Sequence, residues 1–174
     1  MDPSSVSTGR LALREPDTKD VEAVFAVHGD PATNRFNPAG PHGSRDDSRR
    51  LLERWLAHWR SHRFGYWAVA SRDARDHVLG FGGLMYKEMA GRRRANLYFR
   101  FRPSAWGKGY ATELASAARE LAFDHLGLDE VVATVRPANV PSIRVLERLG
   151  MVRAEDVSDA HGVSRLYVLR QTAT

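Results

Sequence analysis

The chain has 174 residues, of which 43% are hydrophobic, enough to bury one real core and too few for two domains of ordinary size. It contains no cysteine, which excludes a disulfide framework, a thiolate metal site and a cysteine nucleophile, and makes a reducing cytoplasm the expected setting. Lysine plus arginine number 26 against 21 acidic residues, a formal charge of +5 that favours anionic ligands without choosing among them.

The opening "MDPSSVSTGRLALRE" has no basic segment followed by a long apolar one, and no later run reaches bilayer length, so no membrane association is expected. Residues 1–8 and 172–174 are expected to be flexible ends around one domain spanning 9–171. Arg10 to Arg14 alternates apolar and charged residues and reads as a strand with one buried face. Asp17 or Thr18 can cap a helix running to about His28, with Val21, Val24, Phe25 and Val27 on its apolar side.

The segment "NRFNPAGPHGSRDD" is rich in proline, glycine and asparagine and reads as a loop, a kind that often lines substrate sites. From Asp46 to about His62, Leu51, Leu52, Trp55, Leu56 and Trp59 form one apolar stripe on a long helix. Three strand-like runs follow, Tyr66 to Ala70, Val78 to Tyr86 and Ala95 to Arg102, consecutive and antiparallel, separated by the polar turns "SRDARDH" and "KEMAGRRR". The period then changes: Ala111, Leu114, Ala115, Ala118, Leu121 and Ala122 mark a helix, and Glu130 to Arg136 a nearly continuous apolar strand.

Strand, crossover helix and strand make a βαβ unit, so those two strands should run parallel with a right-handed connection. Asn139 can cap a short helix over "VPSIRVLERL" with Gly150 in the left-handed position after it, and a last strand over about Ser164 to Gln171 completes a mixed sheet. The fold class is therefore α/β, a mixed, mostly antiparallel sheet with flanking helices.

The turn "PSAWGKGYATELA" sits where the βαβ unit passes from strand to helix. A helix N-terminus carries unpaired amides and a partial positive charge, and glycines there let a phosphate approach the backbone. Gly107, Lys108, Gly109, Tyr110 and Ala111 could aim successive N–H groups at a pyrophosphate; equally, the glycines could serve only a tight connection. A Walker loop is not spelled anywhere in the chain. A dinucleotide fingerprint fails too, with Thr112 where a third glycine belongs and Arg136 where an acid belongs.

"WGKGYATE" followed by "NVPSIRVLERLGM" resembles the GCN5-related N-acetyltransferases, especially the branch acetylating ribosomal proteins and protein N-termini. That family's loop, Gln/Arg-x-x-Gly-x-Gly/Ala, is met here as Trp106 to Ala111, with Trp106 departing from Gln or Arg as that branch commonly does. The resemblance implies the single-domain acyl-CoA N-acyltransferase fold, with a central parallel split that takes acetyl-CoA as acyl donor. Pyrophosphate would lie on the Gly107 to Ala111 amides, with Lys108 close, and pantetheine along Phe99 to Arg102.

By the same resemblance Asn139 would hold the pantetheine arm and Ser142 would stabilise or protonate the departing thiolate, as the two catalytic candidates. Arg144 would reach coenzyme phosphate. Read from residues alone, Asn139 is a helix cap, Ser142 a first-turn residue and Arg144 a solvated side chain. Direct attack of an amine on a thioester needs a neutral amine and donors for the oxyanion, for which the backbone N–H groups around Phe101 are candidates, with Phe101 and Arg102 counted as coenzyme contacts.

The base is the gap. Asn96 stands where relatives often carry glutamate, leaving water relayed by backbone carbonyls, or His42 from the loop, as substitutes. Tyr98 and Tyr167 can serve as acids but read first as core aromatics. His58 and His62 lie one turn apart without a third ligand and read as a solvated helix face, so no metal is expected. Glu113 reads as structural.

Arg92, Arg93 and Arg94 read as a solvated run in a hairpin turn, and nucleic acid is not an expected partner. The expected partners are a coenzyme A thioester and a primary amine, of a protein N-terminus or of a small aminoglycoside-like, polyamine-like or amino-acid molecule. A non-catalytic acyl-CoA-binding role is the alternative from another class, and the chain is expected to be a monomer or homodimer.

Overall fold

The alternation around Leu11 becomes strand β2 (Leu11–Arg14), whose Leu11 and Leu13 are buried while Arg14 turns outward to meet Asp20 at 2.7 Å. In this computed structural model, residues 1–89 and 91–171 are described; the expected loose end at 172–174 lies outside them. Residues 1–8 are engaged rather than loose. Strand β1 (Ser5–Ser7) pairs antiparallel with β2, Val6 is buried, and the Trp67 indole donates to the Pro3 carbonyl at 2.7 Å.

Asp17 caps a single 3₁₀ turn (Thr18–Asp20) that leads into α1 (Val21–His28). The proline-rich stretch is a loop apart from one 3₁₀ turn at Ala32–Asn34, and it ends where Ser44 and Asp47 cap α2 (Arg45–His62) reciprocally. Strands β3 (Tyr66–Ser71), β4 (Ala74–Met89) and β5 (Arg92–Phe101) form the expected antiparallel meander.

The polar segments between these strands are shorter as turns than the sequence suggests. The β4–β5 ladder runs out to Met89 opposite Arg92, so the arginine run lies in a strand and not in the hairpin turn. A projecting two-stranded ribbon is wetted on both faces, so it carries no apolar alternation to betray it. Arg94 pairs with Glu130 at 2.8 Å and Arg93 lies over the Tyr86 ring at 4.7 Å.

Helix α3 (Tyr110–Glu120), continued by a π turn (Leu121–His125), crosses to β6 (Glu130–Val135); α4 (Val140–Arg148) follows. The last two strands are β7 (Val152–Asp159) and β8 (Gly162–Arg170). The sequence reading missed β7, an edge strand whose "VRAEDVSD" lacks a buried face and which exists through its backbone pairing with β8.

The eight strands lie in the order β1-β2-β3-β4-β5-β6-β8-β7, antiparallel throughout except for β5 beside β6. One face is covered by α1 and α2, whose Val24, Val27, Leu52 and Trp55 pack on Tyr66, Ala68 and Phe81. The other is covered by α3 and α4 through Leu114, Ala115, Ala118, Ile143 and Leu146. Small residues bring α3 close: a Cβ on Gly82 would stand 2.6 Å from Leu114 Cδ2 and 2.5 Å from the Tyr98 carbonyl oxygen. That closeness fixes the start of α3, and with it the glycine turn, against the sheet.

Candidate active site

The parallel strands are joined by one bridging pair, Asn96 with Val132, and beyond it β5 and β6 run to their C-terminal ends without a ladder between them. The Arg102 amide donates to the Leu79 carbonyl at 2.8 Å, so even-numbered residues of β5 face β4 with their N–H groups. By strand alternation the amides of Phe99 and Phe101 face the opening. This opening at the carboxyl ends of parallel strands is where an extended ligand can complete the missing pairing.

The glycine turn stands at the mouth of that opening. Gly107 (φ 71°) and Gly109 (φ 76°) are both left-handed, and Gly109 is the N-cap of α3 without any side-chain cap. The amides of Gly107, Lys108, Gly109, Tyr110 and Ala111 have no backbone acceptor among the described residues. Two left-handed positions around Lys108 make a concave nest of donors at a helix N-terminus, suited to a phosphate.

The turn is held from behind. Arg10 donates to the Lys108 carbonyl at 2.7 Å, pairs with the Glu113 carboxylate at 2.7 Å, and covers the Tyr110 ring at 5.0 Å. Desolvation works to raise the Glu113 carboxyl, but hydrogen bonds from Thr8 and Arg10 outweigh it and leave it below the usual range. Glu113 is thus structural, as its sequence context suggested. A cavity of about 420 Å³ opens beside the turn, lined by Arg10, Arg72, Arg75 and Tyr110.

Trp106, the departure from Gln or Arg, ties the turn to the end of β5, because its indole N–H donates to the Phe101 carbonyl at 2.9 Å. Phe101 keeps its amide for a ligand. Arg102 does not, because besides its amide its Nε is committed to the Val78 carbonyl at 2.8 Å. Across the mouth, past the end of β6, Asn139 caps α4 by accepting from the Ser142 amide at 3.3 Å, which leaves its side-chain NH₂ to offer. The half-buried Ser142 hydroxyl has no partner among the described residues, and Arg144 is exposed.

On the face opposite α3 the even-numbered side chains of β5 floor a second cavity of about 320 Å³, walled by Trp55 and Arg54 of α2, His28 of α1, and His42 of the loop. His28 is 3% exposed and its Nδ1 donates to the Val24 carbonyl at 3.2 Å, which fixes Nε2 as the acceptor of the Tyr98 hydroxyl at 2.8 Å. Burial first, then the charges of Arg100 and His42, push the His28 imidazole down to about 3.

His42 stacks on it at 5.3 Å, bonds the Ser48 hydroxyl at 2.8 Å, and is itself lowered, chiefly by desolvation. Desolvation also lowers the Lys87 ammonium, although the residue as a whole is exposed, and raises the Tyr98 phenol. Asn96, 3% exposed, donates to the Tyr66 hydroxyl at 3.0 Å and keeps a buried Oδ1 without a partner.

Sequence reasoning missed the Tyr98–His28 pair. Seventy residues separate the two, and the only local sign was that Asn96, Tyr98 and Arg100 share one face of a strand. Tyr167 is a core residue, 3% exposed. The solvated-face reading fails for His58, which donates from Nδ1 to Phe64 at 2.9 Å and accepts the Tyr86 amide at 3.0 Å, stitching α2 to β4. Among the described residues no cluster of His, Asp or Glu could hold a metal, and no helix is long and apolar enough to cross a membrane.

The buried neutral His28 carries a stability prediction. Its folded pKa lies below the unfolded value, so between about 6.5 and 3 the unfolded chain takes the proton first, and stability falls as pH falls. Unfolding free energies from urea titrations at pH 6.5, 5.5 and 4.5 should decline by roughly 1.4 kcal/mol per pH unit at most from this group. A His28→Gln variant should flatten that slope; an unchanged slope would refute the assignment.

A parallel split with a nest of open amides at its mouth suits an extended, phosphate-bearing ligand, and a side cavity reaches the same strand. The profile of the acetyltransferase (GNAT) domain matches residues 10–152, and the chain belongs to that family. It is 29% identical over 148 residues to the uncharacterised N-acetyltransferase YnaD of Bacillus subtilis (strain 168), covering 85% of this chain and 82% of that one.

Among solved structures, a ribosomal-protein-S5-alanine acetyltransferase from Vibrio fischeri superposes with a TM-score of 0.75 at 16% identity, over 95% of this chain and 96% of that one. A spermidine N-acetyltransferase from Vibrio cholerae, in complex with CoA and spermine, gives 0.76 at 18%, over 94% and 97%.

Proposed function

We propose that acetyl-CoA enters the split between β5 and β6 with its pyrophosphate on the Gly107 to Ala111 amides and Lys108 beside it. The observation that carries this reading is the coincidence of that nest with the unpaired edge of β5. The pantetheine arm pairs with the Phe99 and Phe101 amides and with the Asn139 side-chain NH₂. Arg144 and the free guanidinium nitrogens of Arg102 are left for coenzyme phosphate.

The acceptor, a primary amine of a protein N-terminus or of a small molecule, sits in the cavity over Tyr98. Its nitrogen attacks the thioester carbonyl carbon, an amide N–C bond forms, and the C–S bond breaks. The Phe101 and Phe99 amides stabilise the oxyanion. No carboxylate base is needed if the amine arrives neutral, and the surroundings that depress His28, His42 and Lys87 would depress a bound ammonium in the same way.

The amine's surplus proton passes to the Tyr98 oxygen while the Tyr98 hydroxyl proton moves to His28 Nε2. Because His28 holds that proton weakly, it is soon surrendered. His28 releases it to solvent, and Ser142 gives its hydroxyl proton to the thiolate and recovers one from solvent, so that overall one proton leaves the amine and one reaches the coenzyme A thiol.

Calorimetric titration with acetyl-CoA, coenzyme A, ATP and NAD, followed by an assay of thiol release with an amine panel, tests this reading. Selective, saturable binding of the two coenzyme A species is expected, with thiol release dependent on an amine. A folded protein that binds neither species would overturn the reading.

A further inference from the structure

The acceptor cavity has an unusual charge for a site that receives an amine. Arg54, Lys87 and Arg100 line it, and no aspartate or glutamate does. None of the three is paired with a carboxylate among the described residues: Arg54 donates to the Arg50 carbonyl at 3.2 Å, and Arg100 donates to Asn34 Oδ1 at 2.9 Å and lies 5.8 Å over the Tyr98 ring. The titratable neighbours, His28 and His42, add no negative charge, since they are neutral near pH 7.

Three uncompensated cations around a partly desolvated space repel a cationic ligand and favour an anionic one. The cavity, at about 320 Å³, is at the lower end of the range for small-molecule sites. It also has two distinct ends. The Tyr98 oxygen is a neutral hydrogen-bond acceptor suited to an amine, whereas the guanidinium groups of Arg54 and Arg100 match the paired oxygens of a carboxylate or phosphate.

Resting on the acetyl-transfer reading above, we propose that the acceptor is a small primary amine carrying an anionic group, whose carboxylate or phosphate sits on Arg54, Lys87 and Arg100 while its amine meets Tyr98. A polyamine, cationic along its whole length, is the acceptor this cavity excludes. The anionic group pairs with these three cations and so anchors the acceptor with its amine at Tyr98.

The test separates binding from transfer. Protein saturated with coenzyme A is titrated calorimetrically with L-glutamate, glucosamine 6-phosphate, spermidine and an acidic peptide with a free N-terminus. Glutamate or the sugar phosphate should bind and spermidine should not, and which of the two binds more tightly tells carboxylate from phosphate. Arg54→Gln, on the exposed face of α2, should weaken the anionic amine at least tenfold without changing coenzyme affinity, and Arg100→Gln should do the same.

Tighter binding of spermidine, no binding of either anionic amine, or equal affinity in both variants would overturn the proposal. Tighter binding of the peptide would hand the cavity to a protein substrate. If an anionic amine binds in this way but acetyl-CoA releases no thiol with any amine, the transfer reading fails while the charge preference stands.

Discussion

Replacing Gly109 with valine is expected to raise the dissociation constant for acetyl-CoA at least about a hundredfold while leaving the protein folded. The residue has φ 76°, and a new Cβ would meet nothing nearer than the flexible end of Arg10, Nη2 at 3.4 Å. The fold therefore bears mainly the backbone strain, roughly 1–2 kcal/mol. The coenzyme bears more, since the branched side chain stands where phosphate oxygens approach the amides, and each charge-assisted hydrogen bond lost there costs about 1.5–3 kcal/mol. Gly127→Val is the control: its φ of 61° is just as left-handed and its surroundings are open, so it should carry the strain without the affinity loss. Calorimetry on both variants decides, and unchanged affinity in folded Gly109→Val would remove the turn from the coenzyme site.

The second large effect is on rate. Tyr98→Phe keeps the ring packed beside Tyr66 and His28 but removes the hydroxyl that bonds His28 at 2.8 Å. If that hydroxyl relays the amine's proton, kcat should fall about 10²–10³-fold with the KM for acetyl-CoA unchanged. Stability should drop as well, by about 1–3 kcal/mol, because His28 Nε2 is left buried without a donor. Stopped-time thiol release and urea unfolding on the same variant separate the two effects. A stability loss with the rate intact would make Tyr98 a structural residue only.

The parts of this fold that the sequence made legible are those where one period or one turn is enforced locally. The stripe from Leu51 to Trp59 had to be a helix, and the change of period after "WGKG" had to be a strand-to-helix switch. Strand β7 and the ribbon end at Arg92 to Arg94 were hidden because solvated backbone pairing leaves no pattern in side chains. At the site, the glycine turn was legible through its local chemistry. The acceptor cavity was not, since it joins α1, a loop, α2 and three strands, and its Tyr98–His28 bond spans the meander. His58 shows the converse error: a polar residue at an exposed-looking helical position turned inward because two backbone groups, at Phe64 and Tyr86, needed it.

The single bridge between Asn96 and Val132 has a consequence outside catalysis. A sheet joined at its centre by one pair of residues is two half-sheets whose union a ligand seated between them would reinforce, and the occupant proposed above is the acyl donor. A ligand that binds only the folded chain adds RT ln(1 + [L]/Kd) to its stability, about 2.7 kcal/mol at a hundred times Kd. With the coenzyme seated as proposed, resistance of this protein to proteolysis is expected to rise with the concentration of coenzyme A species, acetylated or free.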